Sequence, residues 1–142
     1  MSNNTQSSPK LHHGTCHCGA VQFEATVALD QVTRCNCSIC TKTAWLGAIL
    51  KPDAFRLIKG EADLGSYEWG HKVSRRHFCK HCGVQVFGKG ELAELGGAFV
   101  SINVNTVDGL EVHDLPVMWW DGRHDNWQAG PTPAARKMFA TA

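Results

Sequence analysis

Seven cysteines in three tight clusters constrain this 142-residue chain more than any other feature. Cys16 and Cys18 stand in TCHCGAV, Cys35, Cys37 and Cys40 in RCNCSIC, and Cys79 and Cys82 in FCKHCGV. A CxC pair on an extended strand puts both sulfurs on one side, and a CxxC pair makes a knuckle whose amides can hydrogen-bond the sulfurs. Either pair can chelate one ion. Zinc in a structural site takes four tetrahedral ligands, so seven thiolates divide most economically into four and three. The favoured division joins Cys16 and Cys18 to Cys79 and Cys82 as a closed site. It leaves Cys35, Cys37 and Cys40 as a contiguous cup with an open fourth position, the mark of a catalytic zinc. A competing division builds a zinc ribbon from Cys37, Cys40, Cys79 and Cys82 and strands Cys16, Cys18 and Cys35. A histidine closing the cup is a further alternative. His17, His71, His77 and His81 lie near the clusters, with His17 and His81 expected to point away.

A disulfide framework fits poorly. The count is odd, the first residues are polar with no apolar secretory run, and no stretch approaches the roughly 18 apolar residues of a membrane span. A cytoplasmic location is the expectation, with no membrane partner. Fourteen Lys and Arg against 13 Asp and Glu give a net charge of +1, too little to attract nucleic acid, so a small polar ligand or a protein partner is expected instead. The sequence does not specify an oligomeric state.

Residues 1–13 read as a disordered leader in which His12 and His13 are an incidental solvated pair. One domain follows over 14–131, with a tail at 132–142. Val21, Phe23, Ala25 and Val27 alternate with polar residues, as in a half-buried strand. Further strands are expected at 45–50, 55–58, 64–69, 73–78, 84–88 and 99–103, separated by turn residues at the spacing of antiparallel meanders. Weak helix candidates lie at 91–95 and 133–139. The expected fold is mostly β.

The segments GTCHCGAVQFE, RCNCSICTK, FCKHCGVQVF and LPVMWWDGRHDNW resemble the glutathione-dependent formaldehyde-activating enzyme family, which includes the centromere protein V group; the likeness spans 14–131. It implies a β-tent fold of antiparallel sheets organised around a structural zinc on Cys16, Cys18, Cys79 and Cys82. A second, active-site zinc would sit on Cys35, Cys37 and Cys40, giving two per chain. The implied reaction adds glutathione to formaldehyde to give S-hydroxymethylglutathione, a carbon–sulfur lyase reaction read in reverse. In it the substrate thiol ionises at the open zinc position and attacks the aldehyde carbon.

Arg34 and Lys42 flank the cup and are expected as solvated cations or as partners of a substrate carboxylate. Trp45, Trp119 and Trp120 are expected in the core rather than in a ligand cleft. His124 beside Asp125 suggests an oriented base, but neighbouring strand residues face opposite ways, so it receives no role. The alternative function is a non-enzymatic, zinc-stabilised interaction module. The two differ in whether the second zinc exchanges its fourth ligand for an added thiol.

Overall fold

The computed structural model describes residues 8–69 and 74–133. Among the described residues there are ten strands: β1 Lys10–Thr15, β2 Gln22–Val27, β3 Val32–Cys35, β4 Gly47–Leu50, β5 Phe55–Lys59, β6 Leu64–Glu68, β7 Ser74–Cys79, β8 Gln85–Leu92, β9 Gly97–Asn103 and β10 Val117–Trp120. The helix α1, Ser38–Thr43, interrupts them after β3. Period-two burial explains the strands: Phe23 and Ala25 of β2 are buried while Thr26 faces solvent. The fold is mostly β, as expected.

The strands make two sheets, β1-β2-β5 and β10-β3-β4-β9-β8-β7-β6. Every pairing is antiparallel except that of β10, which runs parallel to β3 from Val117 opposite Val32 to Trp120 opposite Cys35. A parallel neighbour requires a long crossover, and here the connection from β9 supplies it. The consequence is functional, because it lays the WW segment beside the RCNC segment. An aromatic column ties the sheets together: Phe23 stacks on Phe55 at 5.5 Å, and Phe55 meets Phe87 of the larger sheet at 4.6 Å. Val21, Val32, Val86, Val100, Ile102 and Val104 fill the space around it and are fully buried. Each such side chain contributes about 1.5–3 kcal/mol of hydrophobic stabilisation.

The strand β1 starts at Lys10, inside the expected leader, and pairs from Lys10 opposite Val27 to Thr15 opposite Gln22. Backbone pairing does not need apolar side chains, so a polar stretch concealed it. His13 is solvated, and its exposed Nδ1 lies 2.8 Å from Asp108 Oδ2, which also accepts from Thr15 Oγ1. At the other end Thr132, one residue past 131, exchanges backbone hydrogen bonds with Trp119. The weak helix at 91–95 is instead the end of β8 followed by a single 3-10 turn, Ala93–Leu95. His71, Val73, residues 1–7 and the tail from 134 lie outside the described residues. Among the described residues no helix is long and apolar enough to cross a membrane.

Candidate metal centres

Two groups of sulfurs converge: Cys16, Cys18, Cys79 and Cys82, and separately Cys35, Cys37 and Cys40. Within each group the Sγ atoms lie within 4.8 Å of one another. All seven cysteines are free thiols. In the first group Cys16 and Cys18 are 3.7 Å apart, as are Cys18 and Cys79. A tetrahedron of zinc–sulfur bonds of about 2.3 Å has edges of roughly 3.8 Å, so these spacings suit a metal and are far too long for a disulfide.

The CxC pair reaches this geometry by a turn that follows β1, not by the extended strand that the spacing suggests. Cys16 N–H donates to Val21 O, Gly19 N–H to Cys16 O, and Val21 N–H to Cys16 Sγ at 3.3 Å. The CxxC pair is a knuckle between β7 and β8, closed by Gly83 N–H to Cys79 O, with His81 N–H donating to Cys79 Sγ at 3.4 Å. Such amide-to-sulfur bonds favour thiolates. Burial opposes ionisation of Cys82, but backbone hydrogen bonds from Val84 and Cys18 and its sulfur neighbours outweigh it, drawing the thiol down to about 6. For Cys18 the Ala20 backbone pulls downward, yet burial and the sulfurs of Cys79, Cys16 and Cys82 push it up to about 11. Thiols in mutual contact resist full ionisation, and a dication removes that resistance.

The three-cysteine cup is a strand-to-helix turn. Cys35 ends β3, Cys37 caps the N-terminus of α1, and Cys40 lies buried within that helix. Ala44 takes a left-handed conformation that ends α1 and turns Trp45 back, its N–H bonding to Cys40 O. Trp45 therefore packs on Cys35 and Cys40, joined by Trp120 and Trp127. The Cys37 thiol is drawn down to about 2 by hydrogen bonds with Cys35 and Cys40, assisted by the charge of Arg76, while contact with Cys37 and Cys40 pushes Cys35 upward. One negative charge forms readily here, and further ones need a cation.

That cation is not supplied by the residues flanking the cup in sequence. Arg34 donates to Ala44 O at 3.3 Å, and Lys42 stands exposed on the last turn of α1. Arg76 of β7, which carried no signal beyond its charge, donates from Nη2 to Cys40 Sγ at 3.3 Å.

The fourth wall comes from the segment after β10. Asn36, with no exposed surface, donates to Asp121 Oδ1 at 2.8 Å and accepts the Arg123 N–H at 2.8 Å. His124 Nδ1 meets the same Asp121 oxygen at 2.7 Å, so its partner is Asp121 and not its neighbour Asp125, which accepts from Trp127 Nε1. These bonds, with Asn36 first and His124 next, hold the Asp121 carboxyl below the usual carboxylate range. The segment lies so close that a Cβ on Gly122 would sit 2.5 Å from Cys35 Sγ and 2.7 Å from the Trp127 ring. Gly122→Ala is therefore expected to displace Cys35, costing about 1–3 kcal/mol of stability, and to speed release of metal from the cup but not from the four-cysteine group. Chelator-driven release kinetics test this, and unchanged release from the cup would refute it.

Of the histidines weighed as a fourth ligand, none joins the cup among the described residues. His17 is exposed, His81 bonds Asp63 Oδ1 at 2.7 Å, and His77 packs on Phe87 at 4.8 Å. Trp45 and Trp120 line the cup, with Trp45 buried as well. Trp127, absent from the aromatic candidates, lines it too.

The chain matches the family described as glutathione-dependent formaldehyde-activating enzyme over residues 11–120. It is 37% identical over 81 residues to a Halomonas elongata protein named as a candidate enzyme of that kind, a match covering 51% of this chain and 52% of the relative. The chain thus spans about half the length of that relative. A crystal structure of a Rhodobacter sphaeroides protein is similar with a TM-score of 0.64 and 25% identity, covering 74% of this chain and 98% of the other.

Proposed function

The chain belongs to the glutathione-dependent formaldehyde-activating enzyme family, and from that premise we propose that it is a zinc-dependent carbon–sulfur lyase joining a small thiol to formaldehyde. Glutathione is the thiol that the family's description supports. The carrying observation is the cup: Cys35, Cys37 and Cys40 converge with no fourth His, Cys, Asp or Glu donor in reach among the described residues. Three protein ligands and an open position belong to catalytic zinc, four to structural zinc.

In this reading Cys16, Cys18, Cys79 and Cys82 hold one zinc and Cys35, Cys37 and Cys40 the other. When bound in the cup, zinc supplies a position at which a thiol is held ionised. In the net reaction the thiol would add across the aldehyde carbonyl, its sulfur bonding to carbon as the C–O π bond opens and its proton passing to oxygen, which gives the hydroxymethyl group. The protein's part is to fix the three sulfurs and to wall the site with Trp45, Trp120 and Trp127, which limits water around the reacting sulfur. Seven free thiols suit a reducing compartment, and the cytoplasm is the proposed location.

The test is zinc content with and without excess glutathione, followed by glutathione-dependent loss of formaldehyde. Two zincs per chain, one exchanging a ligand for the thiol, together with turnover, are expected. Two inert zincs and no formaldehyde loss would sink the proposal and leave a zinc-stabilised interaction module.

A further inference from the structure

The mechanism above leaves one buried charge without a role. Arg76 lies in the middle of β7, three residues before Cys79, and is only 8% exposed. Its guanidinium carbon stands 3.7 Å from the centroid of Trp45 and 5.4 Å from that of Trp69. Nη1 donates to Gln85 Oε1 at 3.4 Å and Nη2 to Cys40 Sγ at 3.3 Å. No carboxylate pairs with it among the described residues. A guanidinium keeps its charge when buried, and a buried charge without an anionic partner is strongly destabilising. The anion here is the sulfur cup.

The charges then add up simply. Three thiolates and a zinc ion sum to −1, and a fourth, incoming thiolate would make −2 in a half-buried site. One fixed guanidinium brings those sums to 0 and −1. We propose that Arg76, clamped between Trp45 and Gln85, is the fixed counter-charge of the three-cysteine centre, a positioning residue that lets the cup admit an anionic sulfur as fourth ligand. This rests on the proposed zinc occupancy of the cup and deepens it by naming what the open position is built to select. The clamp also couples the two centres: β7 ends in Cys79, so the four-cysteine group anchors the strand that holds Arg76 against Cys40.

The test uses cobalt-loaded full-length protein, in which sulfur-to-cobalt absorption reports the fourth ligand. 2-Mercaptoethanol, bound as its thiolate, and imidazole, bound neutral, are titrated into wild type, Arg76→Met and Arg76→Lys. Metal retained by the four-cysteine group shows that each variant is folded. In Arg76→Met the thiolate affinity is expected to fall on the order of tenfold or more while imidazole affinity changes little, because only the anion feels the lost charge. Arg76→Lys should recover most of the thiolate affinity. Equal loss for both ligands in Arg76→Met, or no recovery with lysine, would show a merely structural role and overturn the proposal. Wild type carrying one metal per chain would remove the zinc reading and this inference with it. Two metals with variants that behave as wild type would overturn the inference alone.

Discussion

Cys79→Ser is expected to unfold the protein at physiological temperature. Cys79 has no exposed surface, ends β7, and meets Cys18 at 3.7 Å. The sulfurs of Cys16 and Cys18 follow β1 of the three-stranded sheet, and those of Cys79 and Cys82 come from the knuckle joining β7 to β8 of the seven-stranded sheet. A metal among them is a clip between the sheets. Structural zinc supplies about 10–16 kcal/mol of apparent binding free energy in small domains, whereas a whole domain is stable by only about 5–15 kcal/mol. Loss of one ligand therefore outweighs what the Phe23, Phe55 and Phe87 column can hold. The expected result is a chain with fewer than two zincs, no cooperative thermal transition and lost near-ultraviolet dichroism. A Cys79→Ser protein melting within a few degrees of the parent would show that hydrophobic packing alone holds the sheets together.

The cysteine spacing made the two sulfur groups legible because chelation needs pairs, and pairs two or three residues apart are visible in any sequence. The strand with strong alternation was legible for a similar reason, Val21 to Val27 holding β2, and the readings of 55–58 and 99–103 between turn residues lie within β5 and β9. What stayed hidden has physical causes. The strands β3 and β10 are four residues each, too short to show a period, and their parallel pairing depends on a crossover that no local pattern encodes. The helix α1 has six residues, fewer than two turns, and its sequence SICTKT has no apolar stripe. Arg76 and Asn36 were illegible because their importance lies in partners 36 and 85 residues away in sequence, Cys40 and Asp121. Charge flanking a motif drew attention to Arg34 and Lys42, yet β7 lies several strands away from β3 in the sheet order and still delivers its arginine to the cup.

Cys37→Ala should separate activity from folding. Cys37 is half-buried at the N-cap of α1, where its side chain makes no capping hydrogen bond, so alanine removes none. The backbone bond from Thr41 N–H to Cys37 O survives, as does Trp45 N–H to Cys40 O, and buried Cys40 keeps the helix seated. The stability cost is expected at about 1–2 kcal/mol, because the hydrogen bonds of Cys37 with Cys35 and Cys40 are lost while Cys40 stays beside Arg76. The chemical cost is of another order. Two remaining thiols make a weak zinc site, and without an ionised substrate sulfur the barrier rises by at least about 4 kcal/mol, a loss of roughly three decades in kcat/KM. The variant should hold one zinc, melt close to the parent and consume no formaldehyde above background. This is the opposite signature to Cys79→Ser, in which fold and activity go together. A Cys37→Ala protein turning over within tenfold of the parent would place the chemistry elsewhere, since two sulfurs hold zinc too weakly for a route through the cup.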